Sequence, residues 1–181
     1  LLAPSDPAAP GAASVSAACR SSPRLTEATS GSAVVSKAAG NDGVPIGSAG
    51  TMGVDYLNVA LRGTASTLYV GALSSNGSTT VPASLASYSN TPGTDTVVQN
   101  RFLVVGVDGS QTGLYGTSFA APVVSGYAAI VGSKFTRATA TQISNQLLNT
   151  ARQDTIANYS TTLHGRGEAS LSRALAPLSI K

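Results

Sequence analysis

Ser118 stands where a side-chain hydroxyl could act as a nucleophile. It lies in Gly113-Leu114-Tyr115-Gly116-Thr117-Ser118-Phe119-Ala120-Ala121-Pro122-Val123-Val124-Ser125-Gly126, an Ala-rich run with no early charge. Gly116 frees the backbone to turn sharply. Pro122 is tolerated only near a helix start, which fixes that start close to Ser118. At such a point unpaired backbone N–H groups and the positive end of the helix dipole can stabilise a developing anion. The plainer alternative is that Ser118 is an N-cap and nothing more.

The spelling Gly-Thr-Ser-x-Ala-x-Pro-x-Val-x-Gly, from Gly116 to Gly126, resembles the nucleophile signature of the subtilisin-like serine peptidases. A second segment, Val34-Val35-Ser36-Lys37-Ala38-Ala39-Gly40-Asn41-Asp42-Gly43, is similar to that family's strand ending in Ala-Ala-Gly-Asn. The two occur in the family's order. Together with Ala86-Ser87-Tyr88-Ser89-Asn90 and the closing Gly165-Arg166-Gly167, the resemblance extends over residues 32–177. It implies that Ser118 attacks the scissile carbonyl of a polypeptide, and that the Asn41 side chain and the Ser118 backbone N–H bind the oxyanion. It further implies that Ala38, Ala39, Gly40 and the loop after Asn41 line the primary specificity pocket, with Gly116 and Thr117 also at the substrate. No cofactor and no metal follow from it. The Ser118 segment looks most like the subtilisin-like passengers of bacterial autotransporters.

A serine triad also needs a base and a carboxylate to orient it, and in this family both precede the serine. The family's strand-end Asp-Ser/Thr-Gly, its His-Gly-Thr-His helix and its Leu-Gly-Gly edge strand have no counterpart here. The single histidine, His164, follows the serine in Leu163-His164-Gly165-Arg166-Gly167. It reads as a surface or turn histidine, the alternative being a re-ordered Ser118–His164 pair. Asp55, Asp95, Asp108 and Asp154 read as turn formers or solvated charges, and Asp42 as a loop residue without a catalytic role. The expectation is therefore the C-terminal part of a catalytic domain, inactive alone, with the missing N-terminal half of the same domain as a partner. The alternative is a non-catalytic, subtilase-derived binding or structural module.

Composition narrows the class. At 181 residues the chain suffices for one domain with a sizeable core. Only 10% of residues are charged, while Gly, Ala, Ser and Thr abound, which suits an exported bacterial protein, secreted or at the cell surface. The 11 basic and 8 acidic residues give +3, with the basic ones scattered singly, so no nucleic-acid footprint is present. No apolar run reaches transmembrane length, and no signal peptide is evident. The start at Leu1 without Met points to a processed product or a fragment. Cys19, the one cysteine, has no intrachain disulfide partner and reads as a small buried or loop thiol.

The elements that must position these residues follow from periodicity. Residues 1–22 form a Pro/Ala/Ser-rich irregular segment, and residues 24–29 one or two helical turns, at the head of a domain running over 23–181. Strands are expected at 33–38 and 66–73 in a parallel sheet. Shorter ones are expected at 95–99 and 102–107, the last pairing antiparallel around an Asp108-Gly109 hairpin turn. Between the first two strands the Gly-rich 43–53 suits either close approach of a substrate backbone or a surface excursion. Gln99-Asn100-Arg101 stands where the family has Ala-Pro-Gly after a strand. Helices are expected over 118–132 and 139–152, the second with a Thr139-Ala140-Thr141-Gln142 cap, and a helical turn over 168–176. The fold class is thus α/β, a subtilisin-like three-layer arrangement with a mainly parallel sheet, lacking its N-terminal part.

Overall fold

A computed structural model describes residues 30–180. The irregular segment 1–22, the turns at 24–29 and Cys19 lie outside the described residues.

The central sheet has three strands: β1 (Val35–Ala38), β4 (Thr67–Leu73) and β5 (Phe102–Gly106), in the order β1-β4-β5. Both pairings are parallel, with Val35 opposite Thr67 and Tyr69 opposite Phe102. Every residue of β4 is buried, which is why the segment reads as an unbroken apolar run instead of an alternating one. Its two faces feed two cores. Leu68, Val70 and Ala72 join Leu103 and Val105 against one helical layer, while Tyr69, Leu73, Phe102 and Val104 pack with Ala60, Val98 and Ile156 on the other. Helices on both faces of a parallel sheet make the three-layer α/β architecture.

The first layer is built on α4 (Thr117–Lys134), with α5 (Ala140–Asn149) and α7 (Leu171–Leu175) beside it. Ala120, Ala121, Val124, Ala128 and Val131 of α4 are buried. Pro122 is the sixth residue of α4, and its missing N–H leaves the Ser118 carbonyl without the usual intrahelical donor. The cap of α5 forms reciprocally, Gln142 N–H to Thr139 Oγ1 at 3.2 Å and Thr139 N–H to Gln142 Oε1 at 2.8 Å. Leu147 and Leu148 are buried on its inner side and Ile143 packs against the same core.

The segment 43–53 folds back through a minimal antiparallel ladder, β2 (Ala49–Gly50) and β3 (Gly53–Val54), into α1 (Tyr56–Ala60). Two expectations are corrected. Residues 95–99 form not a strand but a helical turn, α2 (Thr96–Gln99), because the Asp95 side chain accepts the Val97 N–H and starts a helix. β5 takes the place beside β4. Gln99-Asn100-Arg101 accordingly ends a helical turn, not a strand. Phe102–Gly106 pairs parallel, not antiparallel. Asp108 there caps the helical turn α3 (Gly109–Thr112) by accepting the Ser110 N–H, so Asp108-Gly109 makes no hairpin. The last helix is also shorter than expected. Glu168 lies in β-bridges to Val104 and Arg152 and only Leu171–Leu175 is helical.

Candidate active site

The start of α4 is an unusual helix terminus. Gly116 sits at φ +122°, a conformation that side-chain-bearing residues rarely adopt, and offers no side chain to cap the helix. The cap comes from the end of β1. Asn41 Oδ1 accepts the Thr117 N–H at 2.8 Å and the Thr117 hydroxyl at 3.1 Å. That hydroxyl accepts in turn the Gly40 N–H at 3.1 Å. The donor sequence Gly40 N–H to Thr117 Oγ1–H to Asn41 Oδ1 has one consistent direction, and it settles which end of the Asn41 amide is oxygen. Nδ2, a donor only, is left over beside Gly116, where an added Cβ would stand 3.3 Å from it.

The turn carrying Asn41 is held by two other asparagines. The carbonyl of the fully buried Ala39 accepts Asn58 Nδ2–H and Asn90 Nδ2–H, both at 3.0 Å. Asn90 Oδ1 accepts the N–H groups of Asp42 at 3.0 Å and Val44 at 3.1 Å. Gly40, at φ +111°, passes so close that a Cβ there would meet Asn90 Nδ2 at 2.3 Å. Ser36 Oγ donates to the Ala121 carbonyl at 2.8 Å, locking β1 against α4. The structure thus brings Gly40, Asn41, Gly116 and Thr117 together immediately before Ser118. Ser118 is exposed as the second residue of α4. None of the described residues hydrogen-bonds its hydroxyl. Ala38, half-buried, accepts Lys37 Nζ at its carbonyl, 2.8 Å away.

His164 is elsewhere. It is 2% exposed, takes the Ser160 N–H on Nδ1 at 3.1 Å, and stacks on Tyr159 with ring centroids 5.8 Å apart. Burial lowers its pKa. Tyr159 packs with Phe102 and Val104 on the sheet face opposite α4, so the sheet separates His164 from Ser118. It is an interior histidine, not a surface one, and no Ser118–His164 pair forms.

The carboxylates serve as caps and ion pairs. Asp55 caps α1 through the Leu57 and Asn58 N–H groups and pairs with Lys37 at 2.7 Å. Asp95 receives Arg62 through two bonds of 2.5 and 3.1 Å, which hold its pKa below the usual range. Asp154 pairs with Arg152, and its pKa is lowered likewise. Asp42 accepts the Thr51 N–H at 2.9 Å, and its bonds to Thr51 lower its pKa. Among the described residues no group of His, Cys, Asp and Glu is arranged to hold a metal, and no helix is long and apolar enough to cross a membrane.

Next to Gly40 lies a cavity of about 320 Å³, bordered by Asp42, the 47–55 segment, Asn58 and Asn90. Asn58 is the supporting residue that sequence reasoning passed over, and Asn90 entered it only as the end of the Ala86–Asn90 segment, with no role assigned. The available signal for Asn58 was a lone amide inside the apolar run Tyr56-Leu57-Asn58-Val59-Ala60-Leu61.

A family model described as the subtilase family matches residues 6–168. Mycosin-5 of Mycobacterium tuberculosis (strain ATCC 25618 / H37Rv) is 40% identical over 94 residues, covering 47% of this chain and 16% of its own length. Among solved structures, the self-cleaved protease domain of PatA superposes with a TM-score of 0.56 at 21% identity, over 83% of this chain and 51% of that one. The patellamide maturation protease PatA gives 0.53 at 25% identity, over 76% of this chain and 48% of that one. The chain therefore spans about half the length of these solved relatives and 16% of the curated one.

Proposed function

The chain belongs to the subtilase family, and on that footing we propose that it carries the nucleophile and oxyanion half of a serine endopeptidase site. Ser118 Oγ attacks the carbonyl carbon of the scissile bond. The carbonyl oxygen, becoming an anion, is received by Asn41 Nδ2–H and the Ser118 backbone N–H. The observation that carries this reading is the fixed orientation of the Asn41 amide. With Oδ1 engaged by Thr117 twice, turning the amide over forfeits two hydrogen bonds, each worth about 0.5–1.5 kcal/mol net, and donors held in place before the reaction need no reorganisation during it. Gly116 and Thr117 present the serine, and Ala38, Ala39 and Gly40 form the wall along which the substrate lies.

The proton of Ser118 needs a base from outside these residues, since the one histidine is walled off behind the sheet. We assign that base and its orienting carboxylate to the N-terminal half of the same domain. β1 is an edge strand among the described residues and its four residues are half-buried, which supports further strands joining there. The substrate is a polypeptide, and the low charge content supports a secreted or cell-surface location. The second reading, a non-catalytic binding or structural module, is favoured by one observation: no described residue hydrogen-bonds the Ser118 hydroxyl. Fluorophosphonate labelling separates the two. The peptidase reading expects Ser118 to label once the upstream half is co-expressed, and a folded, co-purified pair that does not label would establish the module.

A further inference from the structure

Glu168 is a buried carboxylate that the peptidase site leaves unused. It is 7% exposed, and its main chain is fixed by bridges to Val104 and Arg152. Arg152, which borders the same hollow, is paired with Asp154 at 3.2 Å, and Glu168 has no ion pair among the described residues. Burying such a group without a charged partner is costly. Its side chain makes one hydrogen bond there, accepting the Gly77 N–H on Oε1 at 3.1 Å. Gly77 follows Asn76, and the two are the one Asn-Gly pair of the sequence. In such a pair the backbone nitrogen after the asparagine can attack the side-chain amide carbon and close a five-membered ring, and glycine puts no side chain in the way. Asn76 is exposed. A Cβ on Gly77 would stand 2.0 Å from the Thr155 carbonyl oxygen, so only glycine fits after it.

We propose that Asn76-Gly77 is a self-modification site, at which Glu168 promotes the loss of ammonia from the Asn76 side chain. The attacking nitrogen must give up its proton, and the Glu168 carboxylate already stands at hydrogen-bond distance from it, as a general base must. Gly77 N bonds to Asn76 Cγ as its proton passes to Glu168 Oε1. The tetrahedral carbon then expels the amide nitrogen, which leaves as ammonia on taking that proton back from Glu168, and a succinimide remains. One water molecule opens either ring carbonyl, giving aspartate or isoaspartate at position 76. The sum is amide plus water to acid plus ammonia, with no electron transferred and Glu168 returned unchanged. Asn76 is packed where a Cβ on Gly106 would be 2.3 Å from its N and 2.5 Å from its Oδ1. Modification therefore puts a second carboxylate and, by the isoaspartate route, an extra main-chain methylene into a crowded junction beside the end of β5.

The test incubates the 181-residue chain at neutral pH and digests it at intervals. The peptide spanning Asn76 is weighed by mass spectrometry and probed with an isoaspartate-specific methyltransferase. Conversion of amide to acid should accumulate at Asn76 faster in the folded chain than in the same chain unfolded in guanidinium chloride, because unfolding takes Glu168 away from Gly77. Raising the pH above neutral should leave the folded rate level, since a carboxylate base gains nothing there, whereas the unfolded rate rises with hydroxide, about tenfold per pH unit. Glu168→Gln keeps an oxygen for the Gly77 N–H but takes no proton, and should slow conversion about 10²-fold, the low end of what a positioned base contributes. Asn76→Gln should abolish it. Conversion no faster folded than unfolded, a folded rate that climbs with pH as the unfolded one does, or a folded Glu168→Gln that converts as fast as the parent overturns the proposal. The first two comparisons need no variant, so they decide the matter even where Glu168→Gln does not fold.

Discussion

Asn41 Oδ1 accepts the Thr117 N–H at 2.8 Å across 76 positions of sequence, so the end of one strand caps the helix that presents Ser118. The bond does two things at once. It satisfies the first orphan N–H of α4, which Gly116 cannot reach, and it leaves the amino end of the Asn41 side chain beside Gly116.

Asn41→Ala in the assembled enzyme should lower kcat about 10²- to 10³-fold with little change in KM, a magnitude taken from the same kind of deletion in subtilisin, itself a member of this family. Steady-state kinetics on one peptide substrate decides it. A loss expressed through KM alone would contradict an oxyanion role.

Thr117→Val retains the backbone bond to Asn41 and removes the hydroxyl relay. The Gly40 N–H then loses its partner in a half-buried turn, which should lower stability by about 1–3 kcal/mol. Because Asn41 also loses one of the two bonds orienting it, kcat should fall while KM holds. Chemical denaturation and kinetics on the same preparation read both effects, and an unchanged kcat would show that the backbone bond alone positions Asn41.

The 181-residue chain by itself should show no appreciable peptidase activity. Without a base nothing takes the Ser118 proton, and an oxyanion hole with binding leaves at most about 10³ to 10⁴ over the uncatalysed reaction. The edge at β1 should also make the isolated chain poorly soluble, recovered by co-expression with the upstream half. Strong fluorophosphonate labelling of the chain alone would refute this. His164→Ala should leave labelling of the assembled protein intact, since His164 lies on the far face of the sheet.

His164 should instead appear in the pH dependence of stability. Burial depresses its folded pKa below the unfolded value of about 6.5, so the unfolded state binds more protons between the two. Its contribution is then complete above about pH 6.5 and is lost as pH falls through the folded pKa. The carboxylates with lowered pKa, Asp42, Asp95 and Asp154, act only below their usual value of 3.8. Urea unfolding at pH 7.5 and pH 5.5 should show a drop that His164→Gln removes, and an equal drop in the variant would clear His164 of the effect.

Much of this molecule is legible without coordinates where the determinant is local. The apolar run 67–73 announces a strand buried on both faces, the Thr139–Gln142 pair announces a helix start, and the spellings around Asn41 and Ser118 mark both as candidates. Each depends on residues within a few positions of one another. The misreadings share the opposite cause. Thr96-Val97-Val98 has strand-forming residues, but β5 takes the place beside β4. Asp108-Gly109 suits a hairpin only if the next segment returns antiparallel, and the burial of β5 from both sides draws a helical layer back instead. The lone amide Asn58, the interior position of His164 and the direction of the Asn41 side chain all depend on which residues meet across the sheet. Capping and periodicity act over a turn of chain and are written in it; hydrogen-bond partners separated by 76 positions are chosen only when burial leaves a polar group one place to go.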